Sequence, residues 1–286
     1  MEKSHMISLT VNHQNVAVSR TVFPAGEVGV SLDVMGLKKA LNGSTMIEVA
    51  IHTQGYEPNM LITIMQIKEA LNQFFLPYMV KPRYILMLAY MPFSRYDRHM
   101  YHGDAFGLKV FAQVINSMNF DMVVTLDAHS DVTAAVINNL YNIPQVDALM
   151  THRFLRDYDV VVAPDAGAEK KATAAAKAMQ CELATLVKHR NVMTGEITGM
   201  GLSTGIVKNQ NCLIVDDLCD GGATFVHAAA KLFTLGAKSV DLYVTHGVFS
   251  KGTEVLRNAG IENIYTTNSF EQEGNGVNFV GYGSLI

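Results

Sequence analysis

From about residue 80 onward, short apolar runs alternate with segments of helical length, and this alternation constrains the fold more than any other feature. Residues 84–90, 122–126, 160–163, 212–215 and 240–245 are β-branched or aliphatic and too short for helices, so they read as buried strands. Residues 106–118, 171–179 and 225–235 between them have the length and composition of helices. Strands separated by single helices imply parallel pairing and open, doubly wound α/β sheets.

A chain of 286 residues accommodates one large α/β domain or two of about 140 residues each. A faint internal echo favours two. Residues 123–134 and 213–224 both run apolar strand, aspartate, small loop, helix. Pro144 breaks the pattern between them, which suggests two related domains, 1–143 and 144–286. Lys plus Arg is 22 and Asp plus Glu is 26, for a net charge of −4. Charged residues are 17% and hydrophobic ones 49%, against a typical charged share of about 25%. Such a composition excludes a disordered chain and argues against holding nucleic acid by bulk positive charge. Its low charge also suits subunit contacts. No apolar run approaches the roughly 20 residues of a membrane span. The opening residues, Met1 to His5, lead into the alternating stretch 7–18 rather than a signal peptide. Cys181, Cys212 and Cys219 lack a disulfide-framework spacing, which fits a reducing compartment. The expectation is a globular, cytoplasmic protein with no nucleic-acid or membrane partner.

Several strands end in acidic clusters: Asp127-Ala128-His129, Pro164-Asp165 and Asp216-Asp217. Ligands of open parallel sheets bind beyond the carboxyl ends of the strands, so these ends predict a site for cations or sugar hydroxyls. The densest signal is the stretch 213–225, where an apolar strand meets two carboxylates, a loop of small residues and a helix start. Glycines let the backbone approach an anion, and the N–H groups of a helix start are unpaired donors. Asp220, Gly221, Gly222, Ala223 and Thr224 would wrap a phosphate, with Asp216 and Asp217 accepting from sugar hydroxyls. A tight strand-to-helix turn with two solvated acids is the plainer alternative. The full pattern, rather than the Gly-Gly pair, favours the phosphate site. His99 and His102 form an H-x-x-H pair without further Cys or His nearby, so zinc is not expected there. The 16 methionines read most simply as core filler.

The stretch 215–224, Val-Asp-Asp-Leu-Cys-Asp-Gly-Gly-Ala-Thr, resembles the phosphoribosyl diphosphate loop of type I phosphoribosyltransferases and ribose-phosphate diphosphokinases. Other segments favour the diphosphokinases, in the family's order. Phe23-Pro-Ala-Gly-Glu27 is similar to F-x-x-G-E, and Pro92-Phe-Ser-Arg-Tyr-Asp-Arg98 to P-Y-x-R-Q-D-R. Thr125-Leu-Asp-Ala-His129 is similar to T-L-D-L-H, and Ala163-Pro-Asp-Ala-Gly-Ala168 to the start of S-P-D-x-G-x-x-x-R. Lys188-His-Arg190 resembles the K-x-R of a flexible loop, and Val244-Thr-His-Gly-Val-Phe-Ser250 the strand after the phosphate loop.

The resemblance implies two type I phosphoribosyltransferase-like domains, each an open parallel sheet flanked by helices. It implies transfer of the β,γ-diphosphoryl group of MgATP to the anomeric hydroxyl of ribose 5-phosphate, with release of AMP. Lys188 and Arg190, on a loop between a strand at 183–187 and the Gly-rich stretch 194–205, would close over the transferring group. Arg95, Tyr96, Asp97 and Arg98 would bind ATP, joined by Phe23 and Glu27 from a neighbouring subunit of a homo-oligomer, dimer or hexamer. His129 and Asp165 would hold Mg2+. Ala25 and Tyr96 depart from the family pattern in the adenine-recognition segments, and Gly221 stands where the family has threonine. The glycine removes a hydroxyl donor, which suits a phosphate carrying fewer charges, as in ADP-ribose. The opening Ser-Gly segment and the family's final helix are not matched, so the resemblance does not carry phosphate/ADP control or the hexameric state over to this chain. Two other classes remain: a phosphoribosyltransferase joining a base to phosphoribosyl diphosphate, and a non-catalytic regulatory homologue.

Overall fold

The computed structural model describes residues 7–44, 46–152, 155–190, 197–272 and 276–285, the side chains of 188–190, 197–199 and 284 excepted. They divide into two compact units, Met1–Asn142 and Ile143–Ile286.

The first unit begins with a hairpin of β1 (Ile7–Val11) and β2 (Gln14–Val16). Its two turn residues, Asn12 and His13, both have positive φ, 47° and 62°, which matches the turn to the right-handed twist of the strands. A separate antiparallel ribbon follows, β3 (Val18–Val22) with β4 (Val28–Leu32). Helix α1 (Val34–Leu41) starts where the Asp33 carboxylate accepts the N–H of Met35 at 3.0 Å. Next come β5 (Glu48–Thr53), α2 (Met60–Phe75), β6 (Arg83–Leu88), α3 (Gly107–Ser117), β7 (Met122–Leu126), α4 (Val132–Val136) and β8 (Leu140–Ile143). The sheet order is β2-β1-β5-β6-β7-β8. Strands β5, β6 and β7 pair in parallel, and β1 runs against β5. Met60, Ile64, Ile67, Leu71 and Phe75 recur every three or four residues along α2 and are buried against Leu9, Ile51, Leu86 and Leu88.

The second unit holds α5 (Gln145–Met150), β9 (Val160–Ala163), α6 (Glu169–Met179), β10 (Glu182–Arg190), β11 (Ile197–Thr204), β12 (Asn211–Cys219), α7 (Ala223–Thr234), β13 (Ser239–Gly247), α8 (Glu254–Arg257), β14 (Ile261–Thr267) and β15 (Asn278–Val280). Its sheet order is β11-β10-β9-β12-β13-β14-β15. Every described pairing is parallel except that of β10 with β11. Side chains of β12 alternate between two cores. Cys212 and Ile214 pack with Ala228, Ala229 and Leu232 of α7, whereas Leu213 and Val215 pack with Ala172, Ala175 and Ala176 of α6. Coverage of both faces explains why these strands are continuously apolar, and every residue of β13 is buried. The chain leaves β9 toward β10 and β12 toward β13, in opposite directions. Ligands of open α/β sheets bind at such a reversal of strand order.

Both units are therefore mixed α/β, with parallel sheets flanked by helices, and each carries an antiparallel strand pair that the helix–strand alternation did not predict. Three local expectations are corrected. The strand expected at 212–215 continues to Cys219, so Asp216 and Asp217 lie on it rather than beyond it. The helix expected from Phe225 already starts at Ala223. Lys188 and Arg190 belong to β10, where Lys188 pairs with Met200 and Arg190 with Ile197, rather than to a loop. The methionines divide as well: Met60, Met87, Met91 and Met118 are buried, but Met35, Met46, Met79 and Met100 are exposed.

Candidate active site

The site is built where β12 leaves the sheet. Strand β12 pairs with β13 as far as Cys219 opposite Gly247, which carries two adjacent carboxylates to the end of the ladder. By strand alternation Asp217 points to the α6 side with Leu213 and Val215, and Asp216 to the other. Asp217 is buried, at 8% exposure, and its N–H donates to Oδ1 of Asp216 at 2.9 Å. Burial, then the charge of Asp217 and that of Asp165 after β9, push the Asp216 carboxyl up to about 8. An excess of negative charge thus converges between β9 and β12. The side chain of Gln145, at the start of α5, fixes the strand from outside by donating to the Asp216 carbonyl at 2.7 Å and to Oγ1 of Thr245 at 3.2 Å.

Asp220 follows, exposed, and accepts from the Ser250 hydroxyl at 2.5 Å. Gly222 then turns the chain at φ +80° and serves as the N-cap of α7. Its carbonyl accepts from Phe225 and Val226, each at 3.0 Å. A Cβ there would lie 3.0 Å from Leu256 Cδ2 and 3.3 Å from Val255 Cγ2, so glycine is required both by conformation and by space. Gly221 is different: a Cβ would meet only the Lys251 methylenes, at 3.4 Å. A helix start presents backbone N–H groups that point away from the helix body. Asp220, Gly221, Gly222, Ala223 and Thr224 thus form a short backbone cradle at a positive helix end, directly after two carboxylates. That combination suits a phosphate and the hydroxyls of the sugar attached to it.

Two neighbours were missed by sequence reasoning. Lys171 on α6 reaches Oδ2 of Asp217 at 3.6 Å. Its signal was present, because Lys171 stands at the basic last position of the S-P-D-x-G-x-x-x-R pattern. Gln145 had no signal, since its partners come from strands far along the chain. Asp165 sits between β9 and α6, and its Oδ1 accepts from the Ala168 N–H at 3.1 Å. Lys188 and Arg190 have their backbone on the β10–β11 hairpin, but their side chains lie outside the described residues.

The first unit gathers a second set of the candidate residues. After β6 the chain turns through Phe93, at φ +60°, and Tyr96 N–H donates to the Phe93 carbonyl at 2.8 Å. Arg95 and Tyr96 are exposed. Asp97 is buried and accepts from Arg98 through both oxygens, at 2.7 and 3.0 Å. Its carboxyl is held below the ordinary value by the Arg98 hydrogen bonds, the charges of Arg98 and His129 helping to outweigh burial. Asp97 thus ties the 95–98 segment to the end of β7, where Asp127 is buried at φ +46° and His129 is exposed. Arg98 is committed to Asp97, so Arg95 is the more available cation of the segment. Phe23 and Glu27 close the β3–β4 ribbon, Phe23 N–H donating to the Glu27 carbonyl at 2.8 Å; both are exposed. His99 serves its own loop, its Nδ1 lying 2.7 Å from the Asp104 carbonyl. Among the described residues no three His, Cys, Asp or Glu side chains form a ready-made metal cage.

The phosphoribosyl transferase domain family matches residues 112–283. Ribose-phosphate pyrophosphokinase 2 of Archaeoglobus fulgidus is 33% identical over 187 residues, covering 65% of this chain and 67% of that protein. Ribose-phosphate pyrophosphokinase of Rhizobium meliloti is 34% identical over 174 residues, covering 59% of this chain. The match spans 56% of the Rhizobium meliloti protein's own length. Phosphoribosylpyrophosphate synthetase from Mycobacterium smegmatis shares the fold, with a TM-score of 0.77 at 22% identity over 94% of this chain and 87% of that one.

Proposed function

This chain belongs to the phosphoribosyl transferase domain family, among the ribose-phosphate pyrophosphokinases, and on that premise we propose that it transfers diphosphate from ATP to the anomeric hydroxyl of ribose 5-phosphate. The observation that carries the reading is the continuity of Asp216 and Asp217 on β12 with the glycine-turned start of α7. The hydroxyl oxygen bonds to the β-phosphorus of ATP and loses its proton to water, the bond from that phosphorus to the bridging α,β oxygen breaks, and AMP leaves. Such chemistry needs positioning and charge neutralisation rather than a covalent enzyme intermediate.

Asp220, Gly221, Gly222, Ala223 and Thr224 hold the 5-phosphate, and Asp216 and Asp217 accept from the ribose hydroxyls. Lys171 keeps Asp217 in place. Lys188 and Arg190, on the β10–β11 hairpin, neutralise the transferring group. Arg95, Tyr96, Asp97 and Arg98 form the ATP segment, with Phe23 and Glu27 supplied by a second copy in a homo-oligomer. Mg2+ fits the donor set, because the Asp216 carboxyl, pushed up by burial and then by the charges of Asp217 and Asp165, sits among carboxylates that favour a dication. Magnesium is commonly held by one or two protein ligands plus phosphate oxygens and water, so it does not require a protein-only cage. His129 of the first unit and Asp165 of the second are each candidate ligands, and Mg2+ would supply charge neutralisation along the triphosphate. Three free cysteines suit a cytoplasmic setting. Among the described residues no helix is long and apolar enough to cross a membrane.

Gly221 favours a second acceptor, ADP-ribose, with the same chemistry at its free anomeric hydroxyl. Without a side chain at 221 the cradle offers one donor fewer to a terminal phosphate dianion, a smaller loss for a substituted phosphate. Incubation with MgATP and each acceptor decides between them. Ribose 5-phosphate should yield AMP and phosphoribosyl diphosphate in equal amounts, and faster AMP release with ADP-ribose would establish the second reading. No AMP with either acceptor would reject both.

A further inference from the structure

We propose that Lys251 is the charge partner of the acceptor's phosphate, a specificity-determining residue for which Gly221 leaves room. The inference rests on reading residues 220–224 as the acceptor's phosphate cradle. Lys251 lies after β13, in a segment pinned to that cradle. Val248 and Phe249 N–H groups both donate to the Cys219 carbonyl, at 2.9 and 3.1 Å, and the Ser250 hydroxyl donates to Asp220 Oδ1 at 2.5 Å. Gly252, at φ +74°, closes the turn by donating to the Phe249 carbonyl at 2.7 Å. The segment is thereby held against the start of α7.

Within it the Lys251 stem is laid over Gly221. Its Cδ and Cε lie 3.4 Å, and its Cγ 3.7 Å, from the point a Cβ at 221 would occupy. The ammonium is one bond beyond Cε, which itself lies over Gly221. It forms no ion pair or hydrogen bond among the described residues, although Asp220 is close in the loop. The Ser250 hydroxyl already occupies Asp220 Oδ1. A side chain that covers the cradle and keeps its charge unpaired is placed to meet an anion arriving there. Lys251 brings a positive charge to a cradle that has no side chain at 221, and a charge-assisted bond can serve the phosphate of either acceptor.

The test uses the full chain with Lys251→Met, which keeps the stem, and Lys251→Ala, which removes it. Acceptor KM should rise about tenfold in both variants, equivalent to ~1.4 kcal/mol, with kcat and the KM for ATP changed less than twofold. Calorimetric binding of ribose 5-phosphate to the ATP-free protein should weaken by a similar factor, more at low salt than at high. An unchanged acceptor KM and affinity in both variants overturns the assignment. So does a loss in Lys251→Ala that Lys251→Met does not share, since packing rather than charge would then be responsible. If wild type binds ribose 5-phosphate and Lys251→Met weakens it, but no AMP forms, the transfer reading fails and Lys251 stands. Wild type that binds neither ribose 5-phosphate nor ADP-ribose overturns both.

Discussion

The ammonium of Lys171, on the first turn of α6, lies 3.6 Å from Oδ2 of Asp217, near the end of β12. Both side chains are largely out of solvent, at 21% and 12% exposure, so their attraction is less screened than that of a surface pair. Lys171→Met should leave Asp217 buried without its counter-charge, at a cost of about 1–3 kcal/mol. A lower melting temperature and a raised acceptor KM are expected, with Lys171→Arg retaining near wild-type values. Equal melting temperature and KM in wild type and Lys171→Met would show the pair to be idle.

Asp216 trades stability for its place in the site. Its folded pKa of about 8 lies above the ordinary carboxylate value near 3.9. The folded protein therefore binds a proton that the unfolded chain has lost, and stability falls as pH rises between those values. Asp216→Asn removes that term. The variant should match wild type near pH 4 and exceed it increasingly up to about pH 8, while AMP formation falls. Denaturant titrations at several pH values check this, and a pH-independent difference would contradict it.

His152 behaves in the opposite sense. It is buried, at 7% exposure, and its ring stands edge-on to Tyr243 and Tyr265, with centroids 5.5 and 5.6 Å away. Burial lowers its pKa to about 4, despite the opposing influence of the Thr266 backbone. The unfolded chain then binds the extra proton between about pH 6.5 and 4, so stability is lost as pH falls through that window, by at most about 1.4 kcal/mol per pH unit. His152→Phe keeps the aromatic contacts and should flatten this slope. Thermal melts from pH 7 to 4 that lose stability equally in both proteins would assign the acid sensitivity elsewhere.

The two glycines of the cradle should respond differently. Gly222→Ala combines a positive φ with contacts at 3.0 and 3.3 Å to Leu256 and Val255, and should destabilise by about 1–3 kcal/mol. At Gly221 a Cβ meets Lys251 methylenes at ordinary contact distance. Gly221→Thr should therefore fold normally and shift preference toward ribose 5-phosphate by restoring a hydroxyl donor. Relative kcat/KM for ribose 5-phosphate and ADP-ribose is the deciding measurement, with no shift counting against a phosphate-binding role for residue 221.

Local pattern alone carried much of the fold. The apolar runs at 122–126 and 160–163 coincide with β7 and β9, because a strand covered on both faces must be continuously apolar. Less was legible where an element's extent depends on its neighbour. Asp216 and Asp217 belong to β12 because β13 continues the ladder to Gly247. Lys188 and Arg190 belong to a strand because β11 returns to pair with them. Two carboxylates or two cations look like loop residues until their backbone partner is known.

By itself, the amino-acid sequence determined the alternation of strands and helices, the small residues that permit a tight start to α7, and the family pattern running through the chain. Only the tertiary structure decided that Lys171 faces Asp217, that Gln145 holds the Asp216 carbonyl, and that Lys251 lies over Gly221. The first group follows from conformational preference and periodicity within a few residues. The second depends on contacts made when distant segments share one sheet or pack against it, and no local pattern encodes which charge will meet which.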